Sequence, residues 1–192
     1  FTFSEKIYIV PGTYNVNIEI LSVNGQDDSN ESNNVLEKSI ATGMGYASRI
    51  PMIEHFSSST CGPCVSANSM MLQVENENPG KYTYTKYPVK WPGLGDPYAT
   101  NECKTRVDYY EVQNAPELYL DGTSQGYSVV TPDALNAAYG TPTYADIRGA
   151  FNVEGNIITV TADFMSYIAM DSVRAYISVN EKTTTENAST NG

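Results

Sequence analysis

The chain is short of positive charge: 11 Lys and Arg stand against 22 Asp and Glu in 192 residues, a net charge of −11. Its basic residues form no stripe that would neutralise a row of phosphates, which excludes nucleic acid as a partner. Histidine and tryptophan occur once each, at His55 and Trp91, and cysteine only three times. A zinc centre would therefore have to recruit Cys61, Cys64, Cys103 and His55 together. With no second Cys-x-x-Cys and no His pair at zinc-like spacing, no metal site is expected. No apolar run is long enough to cross a bilayer as a helix, and no basic start followed by an apolar segment marks a secretory leader. Phe1-Thr2-Phe3 opens in the middle of a strand pattern and residues 183–192 are largely polar, so the chain reads as a piece of a longer protein.

What is present centres on Ser59-Thr60-Cys61-Gly62-Pro63-Cys64. It follows the apolar run Ile50-Pro51-Met52-Ile53-Glu54-His55-Phe56, which has the content of a buried strand. Residues 65–74 then carry Val65, Ala67, Met70, Met71, Leu72 and Val74 among good helix formers, and Asn78-Pro79-Gly80 ends the helix. Cys61 thus sits where strand hands over to helix, with Cys64 in the first helical turn. Unpaired backbone N–H groups and the helix dipole lower the pKa of a thiol at such a position. Two cysteines across this turn can close a small disulfide. The alternatives are a redox pair, a structural pair or metal ligands, and the strand–Cys-Gly-Pro-Cys–helix context favours redox chemistry.

On either side the pattern is β. Residues 6–10 form a candidate strand, and Tyr14, Val16, Ile18 and Ile20 alternate with polar residues as a half-buried strand does. Residues 24–34 are a polar loop and 35–40 alternate again. Asp27, Asp28 and Glu31 in that loop lack the spacing of a calcium loop, so a solvated hairpin is expected. Fifteen tyrosines against five phenylalanines fit β-rich surfaces. Residues 1–46 therefore read as the closing strands of an immunoglobulin-like sandwich, with a linker at 41–48.

Residues 81–87 follow the first helix as a strand with Tyr82, Tyr84 and Lys86 on one face. A Pro- and Gly-rich loop at 88–95 holds Trp91. Asp96-Pro97 has the form of a helix start, with Ala99, Cys103, Val107 and Tyr110 as its inward stripe and Cys103 a buried, inert thiol. Ala115-Pro116 leads a strand to Leu120, and Asp121-Gly122 turns it back toward a strand at 127–130. Thr131-Pro132 caps a helix over 133–139, closed by Gly140. Alternation returns at Ile147, 156–164 and 173–179. Residues 143–192 are thus a second β segment, either separate or paired with 1–46, and an edge left open there is a place for a second copy to pair.

The order strand, helix, strand, helix, strand, strand, helix over 47–142, with Cys61-Gly62-Pro63-Cys64 at the first helix and a proline opening the third strand, resembles the thioredoxin superfamily. Glu54-His55-Phe56, Asp96-Pro97-Tyr98 with Arg106 and Tyr110, and residues 116–122 are similar more particularly to exported thioredoxin-like, outer-membrane-protein-related proteins of Bacteroides-type bacteria, which join such a domain to β-sandwich modules. The resemblance implies an α/β domain with a central mixed sheet between immunoglobulin-like flanks. It implies a periplasmic or outer-membrane location in a Gram-negative bacterium, commonly by a lipid anchor. It also implies thiol–disulfide oxidoreductase activity on protein disulfides or dithiols, with an unidentified electron donor or acceptor and no cofactor besides the Cys61–Cys64 disulfide.

In that reading Cys61 attacks and Cys64 resolves. Pro116 is the cis-proline facing the disulfide, and Ala115 offers backbone to an extended substrate. The sequence departs from the family at Thr60, where an aromatic residue is usual. It departs again at His55, which aligns with the buried carboxylate that assists the resolving cysteine. His55 is a candidate proton acceptor for Cys64. Glu54 would replace it if the strand register slipped by one, and Lys86 would add nearby positive charge. Gly62-Pro63 matches a reducing protein with a potential on the order of −270 mV. The competing reading is a cell-surface binding module whose disulfide is a structural staple.

Overall fold

A computed structural model describes residues 12–42, 45–127 and 129–187, so the candidate strand at 6–10 lies outside the described residues. The chain divides into two compact units, one formed by 1–47 with 143–174, the other by 48–142 with 175–192.

In the first unit, β1 (Gly12–Glu19) pairs antiparallel with β2 (Val35–Thr42), and β9 (Ala145–Glu154) with β10 (Ile157–Ser166), each pair a separate two-stranded sheet. The β9–β10 register sets Ile147 opposite Phe164 and Phe151 opposite Val160, and all four stay exposed. Two sequence expectations change here. Residues 41–48 are not simply linker, because β2 continues to Thr42 and Ala47–Ser48 forms β3, the partner of β8 (Pro142–Thr143). Residues 173–179 have strand alternation but form no strand, since no ladder partner among the described residues meets their backbone. They fall on either side of the division between the units.

The second unit is built on the sheet β5-β4-β6-β7. Its centre is β4 (Met52–Ser57), parallel to β5 (Thr83–Pro88) and antiparallel to β6 (Glu117–Leu120), which pairs antiparallel with β7 (Thr123–Gly126). The return strand therefore begins directly after Asp121-Gly122 rather than at 127, as the tight turn dictates. Ile53 to Ser57 are all buried, which requires cover on both faces. Ile53, Leu118 and Leu120 pack with Met71 and Val74 of α1 (Gly62–Glu77) and Leu135 of α3 (Pro132–Tyr139). Phe56 and Tyr119 pack on the other face with Val107 of α2 (Asn101–Tyr110). Each fully buried large apolar side chain contributes about 1.5–3 kcal/mol, so these two layers are the main source of stability. No helix among the described residues is long and apolar enough to cross a membrane.

Two expectations about α2 are corrected. The helix starts at Asn101, with Thr100 as its N-cap; Asp96 opens only a single turn before it, its carboxylate accepting from the Tyr98 N–H and from the Ser59 N–H. Val107 is the buried residue of the helix, and Cys103, one turn before it on the same stripe, is half-buried, its sulfur beside the Thr100 hydroxyl.

Alternation along β4 sends Glu54 toward α2. There Arg106 grips both carboxylate oxygens at 2.6 and 2.8 Å, and the Tyr110 hydroxyl donates to Oε2 at 2.6 Å. Burial alone would raise the Glu54 pKa. The hydrogen bonds from Arg106 and Tyr110, with the guanidinium charge, outweigh it and hold the carboxyl below its ordinary value. Arg106→Met should therefore strand a buried carboxylate and cost about 3–5 kcal/mol in urea denaturation. Adding Glu54→Gln should recover most of that loss, because the buried charge is then gone.

Candidate functional site

The turn after β4 builds the site. Cys61 is the N-cap of α1 and Pro63 stands in its first turn, where a missing N–H is harmless. The Cys64 N–H points at Cys61 Sγ, 3.2 Å away, which is the orientation that stabilises a thiolate there. Cys61 and Cys64 form a disulfide with a Cα–Cα distance of 5.3 Å, and neither residue is exposed. Gly62 and Pro63 are exposed on the outer side of the turn.

The Ala115–Pro116 peptide is cis, and the Ala115 carbonyl oxygen lies 3.2 Å from Cys61 Sγ, within reach of a thiol donor once the disulfide is reduced. Thr60 is half-buried, and its hydroxyl donates to the Pro92 carbonyl at 2.6 Å. Cys61, Cys64, Thr60, Ala115 and Pro116 thus come together at one end of the sheet.

The β5–α2 loop is tied to this turn. Trp91–Pro92 is a second cis peptide, and Gly95 adopts φ +72°, where a Cβ would lie 2.4 Å from the Lys90 backbone. Asp96 anchors the loop to Ser59, and Leu94 at its tip is 97% exposed. In the sequence this is a Pro- and Gly-rich loop with the sole tryptophan and no assigned role; Gly93 and Gly95 on either side of Leu94 are the signal it carries.

His55 lies on the α1 face of β4, opposite to Glu54, so the register sets the histidine and not the carboxylate beneath the helix that carries Cys64. Its cross-strand neighbour Lys86 donates to Asn68 of α1. His55 is fully buried, and its Nδ1 is 2.6 Å from the Tyr84 hydroxyl. Burial, then the Lys86 charge, pushes its pKa down to about 3. The imidazole is therefore neutral at physiological pH. Burial raises Tyr84 far above its ordinary value, keeping the phenol protonated as a donor. With Tyr84 donating to Nδ1, the imidazole proton sits on Nε2, a buried atom with no hydrogen-bond partner among the described residues. No hydrogen bond joins His55 to either cysteine. Tyr84 and Lys86 also line a cavity of about 590 Å³ together with Ser57, Ser59, Asp96, Asn180 and Glu181.

The four residues that a zinc centre would need do not converge. Cys103 is on α2, across the sheet from His55, and no group of three or more His, Cys, Asp or Glu among the described residues is arranged to hold a metal ion. Comparisons with family models, with curated proteins and with solved structures return no match to this chain.

The histidine gives a pH signature. Folded, His55 takes a proton only near pH 3; unfolded, near 6.5. Between those values the unfolded chain binds the extra proton, so stability falls as pH falls, by about 1.4 kcal/mol per unit. Denaturation midpoints from pH 6.5 to 5, above the ordinary carboxylate range, should show this slope in the wild type and a flatter one in His55→Gln.

Proposed function

We propose that this chain is a thiol–disulfide oxidoreductase acting on protein disulfides. The observation that carries the reading is the convergence on Cys61 Sγ of a helix-start N–H, from Cys64, and the backbone carbonyl that precedes the cis proline, from Ala115. In the reducing direction the Cys61 thiolate attacks one sulfur of a substrate disulfide, forming a mixed disulfide and releasing the first substrate thiolate. The Cys64 thiolate then attacks Cys61 Sγ. That bond forms as the mixed disulfide breaks, the second substrate sulfur leaves as a thiolate that takes its proton from solvent, and the protein is left oxidised. An external dithiol must return two electrons for the next cycle; run backwards, the same steps oxidise a substrate dithiol.

His55, neutral and short of basicity, fits better as a fixed hydrogen-bond donor through Nε2 than as the acceptor of the Cys64 proton. The thioredoxin-like fold and export to the periplasm or outer membrane belong to the same proposal and rest on the resemblance; β-edge dimerisation rests on an open strand edge in the flanks.

A second reading is favoured by one observation: both cysteines are fully buried in the oxidised chain, as in a structural staple. Its energetic return is small. A disulfide closing a four-residue loop (sequence separation 3) removes roughly 2 kcal/mol of chain entropy from the unfolded state, against about 3 for a 15-residue loop. So short a bridge is a weak reason to keep a disulfide for stability alone.

Titration in glutathione and dithiothreitol buffers with alkylation and mass spectrometry separates the readings. A redox enzyme should open reversibly between about −270 and −180 mV, whereas a staple should resist to below about −300 mV. Cys64→Ser should accumulate a mixed disulfide at Cys61 with a protein substrate, and Cys61→Ser should form none. Reduction only upon unfolding would remove the enzymatic reading.

A further inference from the structure

Leu94 stands on the loop fastened to the Cys61–Cys64 turn, and it is 97% exposed. We propose that Leu94 is a docking anchor, packing against an apolar side chain that flanks the disulfide of a bound polypeptide. The inference rests on the reading that this turn exchanges disulfides with protein.

The place of Leu94 is the first observation. Its loop is tied at two points to the two residues that precede Cys61. The Thr60 hydroxyl donates to Pro92 O at 2.6 Å, and the Ser59 N–H donates to the Asp96 carboxylate at 2.9 Å. Leu94 is two residues from each tie, a reach of at most about 7 Å. An extended substrate of five residues spans up to about 18 Å, so one centred on Cys61 has the length to meet it.

Rigidity is the second. Gly93 and Gly95 have φ +62° and +72°, a conformation that favours glycine, and at Gly95 a Cβ would lie 2.4 Å from the Lys90 backbone. The Gly95 N–H donates to Pro92 O at 3.1 Å and the Asp96 N–H to Val89 O at 2.9 Å. Single exposed leucines are ordinary on a protein surface. One held out on a backbone fastened at both ends has little loop freedom left to lose on contact, which lowers the cost of binding through it.

Charge is the third. In a chain of net charge −11, residues 57–74, 91–95 and 112–116 contain no Lys, Arg, Asp or Glu. These are the turn with its helix, the loop, and the approach to Pro116. Asp96, at the end of the loop, is buried. Gly62, Pro63, Val65 and Pro92 are exposed in the same segments. An uncharged rim with one projecting leucine suits apolar residues of an extended polypeptide and offers no ion pair to charged ones.

The test follows the reduced full chain with end-blocked five-residue peptides, their central cysteine disulfide-bonded to thionitrobenzoate and flanked by Leu or by Ser. Cys61 attacks the peptide sulfur and the coloured thionitrobenzoate thiolate leaves. Cys64 then displaces the peptide thiolate and restores the Cys61–Cys64 disulfide. Each rate is divided by that of dithiothreitol with the same peptide, and Cys61→Ser is the blank for other thiols. The Leu peptide should react about tenfold faster than the Ser peptide, the scale that partial burial of one leucine supplies. Leu94→Ser should melt like the wild type and bring the ratio to about one, whereas Leu94→Met should keep most of it. Equal rates in the wild type, a ratio unchanged in Leu94→Ser, or one lost equally in Leu94→Met would overturn the anchor. No reaction with either peptide or with hydroxyethyl disulfide would remove the enzymatic reading and the anchor with it. Reaction without the preference would remove the anchor alone.

Discussion

The Cys61–Cys64 turn can be positioned because β4 is buried on both faces. A strand covered by helices above and below cannot slide by one residue without exchanging every side chain between two different packing layers. Ile53 and Phe56 fix that choice, one in the layer with α1 and α3, the other in the layer with α2. Once they are placed, Glu54 must meet Arg106, His55 must lie beneath α1, and the chain must leave the sheet at Ser58 with Cys61 at the head of the helix.

Two acidic residues keep this frame in place by different means. Glu54 is a buried carboxylate made tolerable by a guanidinium and a phenol, and it ties β4 to α2. Asp96 accepts from the Ser59 and Tyr98 backbones, which fastens the β5–α2 loop to the turn before the cysteines. The consequence is a site whose edges, Thr60 and Ala115 on one side and the Trp91 loop on the other, are set by hydrogen bonds across distant parts of the chain. Such preorganisation lowers the ordering cost of a contact made at this site.

The site's electrostatics differ from those of a turn backed by a carboxylate. A neutral, buried imidazole brings no negative charge beneath the cysteines, and Lys86 nearby is itself pushed down by burial. A thiolate formed here would lean on backbone N–H groups rather than on an ionised neighbour. That shifts the expected control of reactivity from proton abstraction to access, since both sulfurs are covered when oxidised.

The sequence by itself determined the local devices. Cysteine at the strand-to-helix handover with Pro63 behind it, Thr131-Pro132 opening a helix closed at Gly140, and Asp121-Gly122 reversing the chain are all interactions within a few residues, so their chemistry is written in neighbouring letters. Tertiary structure decided whatever depended on a partner far along the chain. Asp96-Pro97 has the letters of a helix start and makes one turn, but its carboxylate also holds Ser59, 37 residues away, and the helix itself begins after Thr100. Val107 and Tyr110 of the expected stripe meet the sheet, while Cys103 on the same stripe is left half-buried. Residues 173–179 have the alternation of a strand, yet a strand is made by its neighbour's backbone, and none among the described residues is paired with it. Trp91 gave no sign of its unsatisfied N–H, because only the packing of Val89 and Val107 around the ring removes that group from water. Local preference is a property of the letters; facing, burial and satisfaction are properties of what the rest of the chain brings to meet them.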